Sequence, residues 1–74
     1  MEQDNSWLDR LKIEHDELQN KIEKLQSFID SDKYNKLNLT IQLAMSEQLF
    51  YMAMYLKTLD VRLMFYNDKD NESN

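Results

Sequence analysis

The chain has a single histidine, His15, set between Glu14 and Asp16. Its imidazole is the one side chain here whose ordinary pKa suits proton transfer near neutral pH. A general base needs a partner that orients its ring. On a helix, residues one apart point away from each other, so Asp16 is poorly placed for that task. The alternative is a polar residue at a helix-pairing position, where it sets register or association state, and the sequence favours it. No Ser or Thr stands beside His15 at helical spacing, and no H-E-x-x-H, D-x-D-G or C-x-x-C motif occurs. No Glu precedes His15 by three residues, as bundle metal sites require. One histidine without cysteine cannot complete a zinc site. The expectation is a chain with no catalytic residues, no metal and no cofactor.

A second constellation suits binding rather than catalysis. Ile41, Gln48, Tyr55 and Arg62 recur every seven residues, so they line one side of a helix. If the two long helices pair antiparallel, Trp7 and Arg10 at the start of the first come close to Arg62, Phe65, Tyr66 and Lys69 at the end of the second. Aromatic faces stack on bases, and guanidinium forks hold phosphate bidentately. The candidate ligand residues are therefore Trp7, Tyr55 and Tyr66 for stacking, Arg10 and Arg62 for phosphate with Lys57 as an addition, and Gln48 for a base edge. The structural alternative makes the aromatics core and interface, with the arginines at the rim.

Helices must position these groups. The 74 residues contain no glycine, proline or cysteine. The residues that punctuate strands and tight turns are missing, and no disulfide supports a core that is small at this length. Ser6 with Asp9 three residues later resembles a capping box. From there Leu8, Leu11, His15, Leu18, Ile22, Leu25 and Ile29 succeed one another in steps of three and four, a heptad with His15 at an a position. Trp7 and Phe28 flank that seam. Asp30, Ser31 and Asp32 carry turn chemistry, Tyr34 and Leu37 suit one short helical turn, and Asn38 suits the cap of a second helix. The second seam is Met45, Leu49, Met52, Leu56, Leu59, Leu63 and Tyr66. The spacing predicts an all-α, coiled-coil-like antiparallel hairpin in one domain. Its parts are a helix at 7–30, a connection at 31–38, a helix at 39–66 and a disordered tail at 67–74.

The second helix carries more apolar surface than one partner covers. Leu43, Phe50, Met54, Val61 and Phe65 lie off its main seam, and Ile41, Tyr51, Tyr55 and Met64 fill the gaps. A helix apolar nearly all round is normally buried. These five residues are the expected oligomer interface, and a homodimeric four-helix bundle is the simplest closed answer, though a larger assembly fits as well.

The net charge of −5 argues against nucleic-acid polymers and anionic membranes as partners. The polar, acidic start MEQDNSWLDR does not read as a secretory signal, and the apolar run from Leu49 to Leu56 is far short of the ~20 residues that span a membrane. The expected compartment is a cytoplasm.

One pattern extends over residues 7–63: Trp7-Leu8-Asp9-Arg10-Leu11, Glu14, Leu18, Lys24-Leu25, Phe28-Ile29, Leu37, Gln48, Met52, Tyr55, Leu59 and Arg62-Leu63. It resembles a family of small phage and prophage helical proteins first named from a crAss-like phage of Bacteroides. The second helix is richer in apolar residues than that pattern leads one to expect. The resemblance implies a phage gene product in the cytoplasm of a host bacterium, and it brings no catalytic residues. In size and build the chain is similar to phage proteins that act as oligomeric sponges for immune signals. By that analogy the ligand is a cyclic nucleotide or cyclic ADP-ribose. Two other readings stay open: an inhibitor or adaptor that binds a host protein through the second helix, and a purely structural phage protein.

Overall fold

The computed structural model describes the backbone of residues 6–72 and the side chains of residues 6–66. It contains α1 (Ser6–Ile29), a single turn α2 (Asp32–Asn35) and α3 (Leu39–Glu72). The described residues contain no strand. The chain is all-α, as its periodicity predicts.

The two long helices lie antiparallel. Trp7 at the start of α1 meets Tyr66 late in α3, with ring centroids 4.7 Å apart, and His15 meets Asp60. Their shared seam matches the two heptad registers. Leu11, Leu18 and Leu59 are buried, at 4%, 7% and 1% exposure, with Leu8, Ile22, Met52, Leu56, Leu63 and Tyr66 packed around them. Every seam residue from Leu8 to Ile29 and from Met45 to Tyr66 is buried or half-buried. The three- and four-residue steps keep these side chains on one stripe of each helix.

The corner is held by polar groups. Helix α1 ends where Ser31 turns its hydroxyl back to the Phe28 carbonyl at 2.5 Å, which satisfies an acceptor that the helix no longer uses. The extended backbone of Ser31 then starts α2. The Asn38 side-chain oxygen accepts from the Ile41 N–H at 3.0 Å, the N-cap of α3 that its residue type predicts. Gln42 closes the turn. Its amide nitrogen donates to the carbonyls of Leu37 at 2.9 Å, Tyr34 at 3.1 Å and Asn35 at 3.4 Å. In return the Tyr34 hydroxyl donates to the Gln42 carbonyl at 2.7 Å and lies 2.9 Å from the Ser46 hydroxyl. Phe28 packs edge-on against Tyr34 with ring centroids 6.4 Å apart.

Two expectations change. Helix α3 runs to Glu72, six residues past the end read at Tyr66; the side chains of 67–72 and residues 73 and 74, the rest of the tail expected to be disordered, lie outside the described residues. The segment is polar, but it holds no glycine or proline to stop a helix already nucleated upstream. Asp16 also reaches its neighbour. Its Oδ1 lies 3.0 Å from His15 Nδ1.

The molecule measures 57 × 17 × 15 Å, a single layer of paired helices. Among the described residues, nothing covers the side of α3 that faces away from α1. Leu43, Phe50, Met54, Val61 and Phe65 are all exposed there, as their positions off the seam predict.

Candidate ligand-binding surface

The six candidate residues fall into two groups. At the open end of the hairpin, antiparallel pairing brings Trp7 edge-on to Tyr66, and Phe65 meets Tyr66 in the same manner at 5.4 Å. Trp7 remains 42% exposed, so much of its ring is open to a stacking partner. Arg10 and Arg62 are exposed in the same region, and among the described residues neither forms an ion pair. Lys69, expected nearby, has its side chain outside the described residues.

The second group lies mid-helix. Gln48 and Tyr55 line an open depression of about 500 Å³ with Ala44, Glu47, Tyr51 and Met52. Its size falls in the range of small-molecule sites, roughly 300–1,000 Å³. Ala44 contributes only a methyl group, which leaves the hollow between longer neighbours. Tyr51 and Tyr55, 64% and 44% exposed, offer two phenol rings. The Gln48 amide makes only a long contact to the Met52 sulfur at 3.8 Å, so its polar end is available.

One hairpin does not gather all six residues. Gln48 and Tyr66 are eighteen positions apart on one helix, about 27 Å at ~1.5 Å per residue. The stripe Gln48–Tyr55–Arg62 is continuous along α3 and runs from the mid-helix depression toward the open end.

Charge separates this surface from a second depression among the described residues. That one, on the outer side of α1, is lined by Asp16, Glu17, Gln19, Asn20 and Glu23, and three carboxylates repel an anion. The α3 depression holds one carboxylate, Glu47. Arg62 continues the line of Gln48 and Tyr55 one further heptad along α3.

The chain belongs to the Sequestin family. The family model matches residues 5–65, which takes in α1, the corner and nearly all of the α3 seam with the stripe on its flank. No curated protein and no solved structure matches the chain. No helix among the described residues is long and apolar enough to cross a membrane.

His15 occupies both of its ring nitrogens. Nδ1 faces Asp16, and Nε2 faces Asp60 Oδ1 across the seam at 2.6 Å. The hydrogen bond with Asp16 does most to hold its pKa above the ordinary histidine value. Partial burial opposes that, and Asp60 adds to it. The residue bridges the two long helices, in line with the structural role that its a position suggests. Reasoning from sequence missed Asp60, which reads as one more charge on a wet face. Trp7 opposite Tyr66 puts position 58 level with His15, so the register brings Asp60 within two residues of that depth but does not single it out. Tyr51 and Ala44 were legible as well, because they sit four and seven residues from Tyr55 and Tyr51, respectively.

Proposed function

We propose that this chain is a phage-encoded, non-enzymatic counter-defence protein that binds and sequesters a host cyclic nucleotide signal in the bacterial cytoplasm. The family name points to sequestration. The observation that carries the ligand class is the stripe on α3. Gln48 and Tyr55 line an open depression, and Arg62, without an ion pair among the described residues, continues the same line. An aromatic ring, an amide and a guanidinium in series match a base, its edge and its phosphate. Trp7, Arg10 and Tyr66 supply a second stacking and phosphate group at the hairpin's open end. Both ring nitrogens of His15 face carboxylates, so the one candidate base serves the helix pairing. A sequestering protein needs only tight binding in stoichiometric amount, which agrees with a site built of stacking and charge alone.

The test is native mass spectrometry of the purified protein with a panel of cyclic nucleotides and cyclic ADP-ribose isomers. The expected result is a discrete oligomer that gains whole ligand masses and releases them unchanged. Arg62→Ala and Tyr55→Ala abolish the gain while the oligomer persists. Both variants binding as the parent does would remove these residues from the site. A protein that gains no ligand mass would overturn the ligand class.

A further inference from the structure

The exposed face of α3 carries a pattern that is its own complement. Directly opposite the seam with α1 run Leu39, Leu43, Glu47, Phe50, Met54, Lys57, Val61 and Phe65. They are separated by steps of four, four, three, four, three, four and four. At 3.6 residues per turn these positions stay within a band about 80° wide. The series of steps reads the same in both directions about position 52. The chemistry has the same symmetry. Leu39 mirrors Phe65, Leu43 mirrors Val61, Phe50 mirrors Met54, and Glu47 mirrors Lys57. All six apolar members are large hydrophobics left exposed in the single hairpin, from Met54 at 44% to Leu39 at 68%. Glu47 and Lys57 are exposed, and among the described residues neither has an ion pair.

We infer that this face is the interface with a second copy of the chain, paired antiparallel about a two-fold axis at position 52. In that register each apolar residue meets an apolar residue of the second copy, and each Glu47 meets a Lys57. A two-fold interface uses the same patch on both subunits and must be self-complementary in this way. Sliding the register by one helical turn sets Glu47 against Val61 and loses both ion pairs. A foreign partner imposes no such symmetry on the sequence. The need for a partner is independent of the pattern, because three buried leucines among the described residues are a small core for a chain of 74.

At about 100° per residue, Gln48, Tyr55 and Arg62 lie roughly 100–140° around α3 from the centre of this face. The pairing therefore leaves the ligand stripe of each copy open on the flank of its own seam. The proposal rests on the self-association in the proposed function and not on its ligand.

A charge-swap cycle read by analytical ultracentrifugation without ligand tests it. The parent chain is expected to sediment as an assembly of at least two copies. Glu47→Lys sets Lys against Lys57, Lys57→Glu sets Glu against Glu47, and each is expected to weaken association about tenfold. The double variant Glu47→Lys/Lys57→Glu restores the pairs in reverse and is expected to recover parental association. Phe50→Asp is expected to give a helical monomer. A monomeric parent, which would leave the face to a foreign partner, overturns the proposal. So does an assembly indifferent to both single swaps, or a double variant weaker than either single one. Failure to bind any nucleotide leaves these readings unchanged, so the two ideas fail separately.

Discussion

His15 on α1 reaches across the seam to Asp60 on α3, with Nε2 2.6 Å from the carboxylate oxygen. Asp16 holds the other ring nitrogen at 3.0 Å. An imidazolium donates from both nitrogens, whereas the neutral ring donates from one. The charged form is therefore favoured in the folded chain, and the His15 pKa lies above its ordinary value. A raised folded-state pKa contributes stability that is fully present below the unfolded value near 6.5. It is lost as pH rises through the folded value. The thermal midpoint is expected to fall as pH is raised from 6 toward 8, over and above any trend in a His15→Gln control. Asp60→Asn is expected to cost about 0.5–1 kcal/mol at pH 6 and less at pH 8, a modest figure because Asp60 is half exposed to solvent. Parallel melting curves of the parent and His15→Gln across this range would sink the assignment.

Gln42 binds three carbonyls at the corner and receives the Tyr34 hydroxyl on its own carbonyl. These carbonyls belong to the end of α2 and the link to α3, where helical partners run out. Gln42→Ala leaves half-buried acceptors without their donor and is expected to cost about 1–2 kcal/mol. Gln42→Glu carries no amide N–H and is expected to be at least as harmful. Tyr34→Phe removes the return bond and is expected to cost about 1 kcal/mol. Denaturant unfolding at fixed protein concentration reads all three. A Gln42→Glu chain as stable as the parent would show that the corner does not depend on these bonds.

The legible part of this fold was its period. The three- and four-residue steps from Leu8 to Ile29 and from Met45 to Tyr66 name the residues that pack, and Asn38 announces itself as a cap. What escaped were relationships that depend on register between helices or on a long side chain folding back. His15 and Asp60 are 45 positions apart, and no local rule links them. Gln42 reads as one more polar residue at the start of a helix until its amide is seen over the corner. The end of α3 lies beyond Tyr66, since polarity argues for water around a segment but does not by itself stop a helix. For the site, the stripe Gln48–Tyr55–Arg62 came from spacing alone. Its split from Trp7 and Tyr66 came only from the length of the helix between them.

Leu59 and Val61 lie two positions apart and test the two faces of α3 separately. Leu59 is 1% exposed against α1, and Val61 is 58% exposed on the outer face. Leu59→Ala is expected to cost about 2–4 kcal/mol at every protein concentration, since it opens a cavity inside the hairpin. Val61→Ala is expected to lower the thermal midpoint only in the range where the chain associates, and to steepen its dependence on concentration. Melting curves over a hundredfold range of concentration separate these behaviours. Identical responses of the two variants would show that the faces are not distinct in solution.

Arg62 lies seven residues beyond Tyr55, about 10 Å along the helix at ~1.5 Å per residue. A ligand stacked on Tyr55 thus presents its phosphate at guanidinium reach, on a side chain with no ion pair to give up among the described residues. Lysine at this position keeps the charge and loses the planar fork. Arg62→Lys is therefore expected to bind the nucleotide more weakly than the parent and more tightly than Arg62→Ala. The parent's affinity is expected to fall as salt is raised, because the contact is exposed and screened. Arg62→Ala, with that contact removed, is expected to lose much of the salt dependence together with the affinity. Calorimetric titrations of the three chains at low and high salt provide the measurement. Arg62→Lys equal to the parent would reduce the arginine to a point charge. Arg62→Ala with unchanged affinity and salt slope would place the phosphate elsewhere, and Arg10 beside Trp7 would be the next residue to substitute.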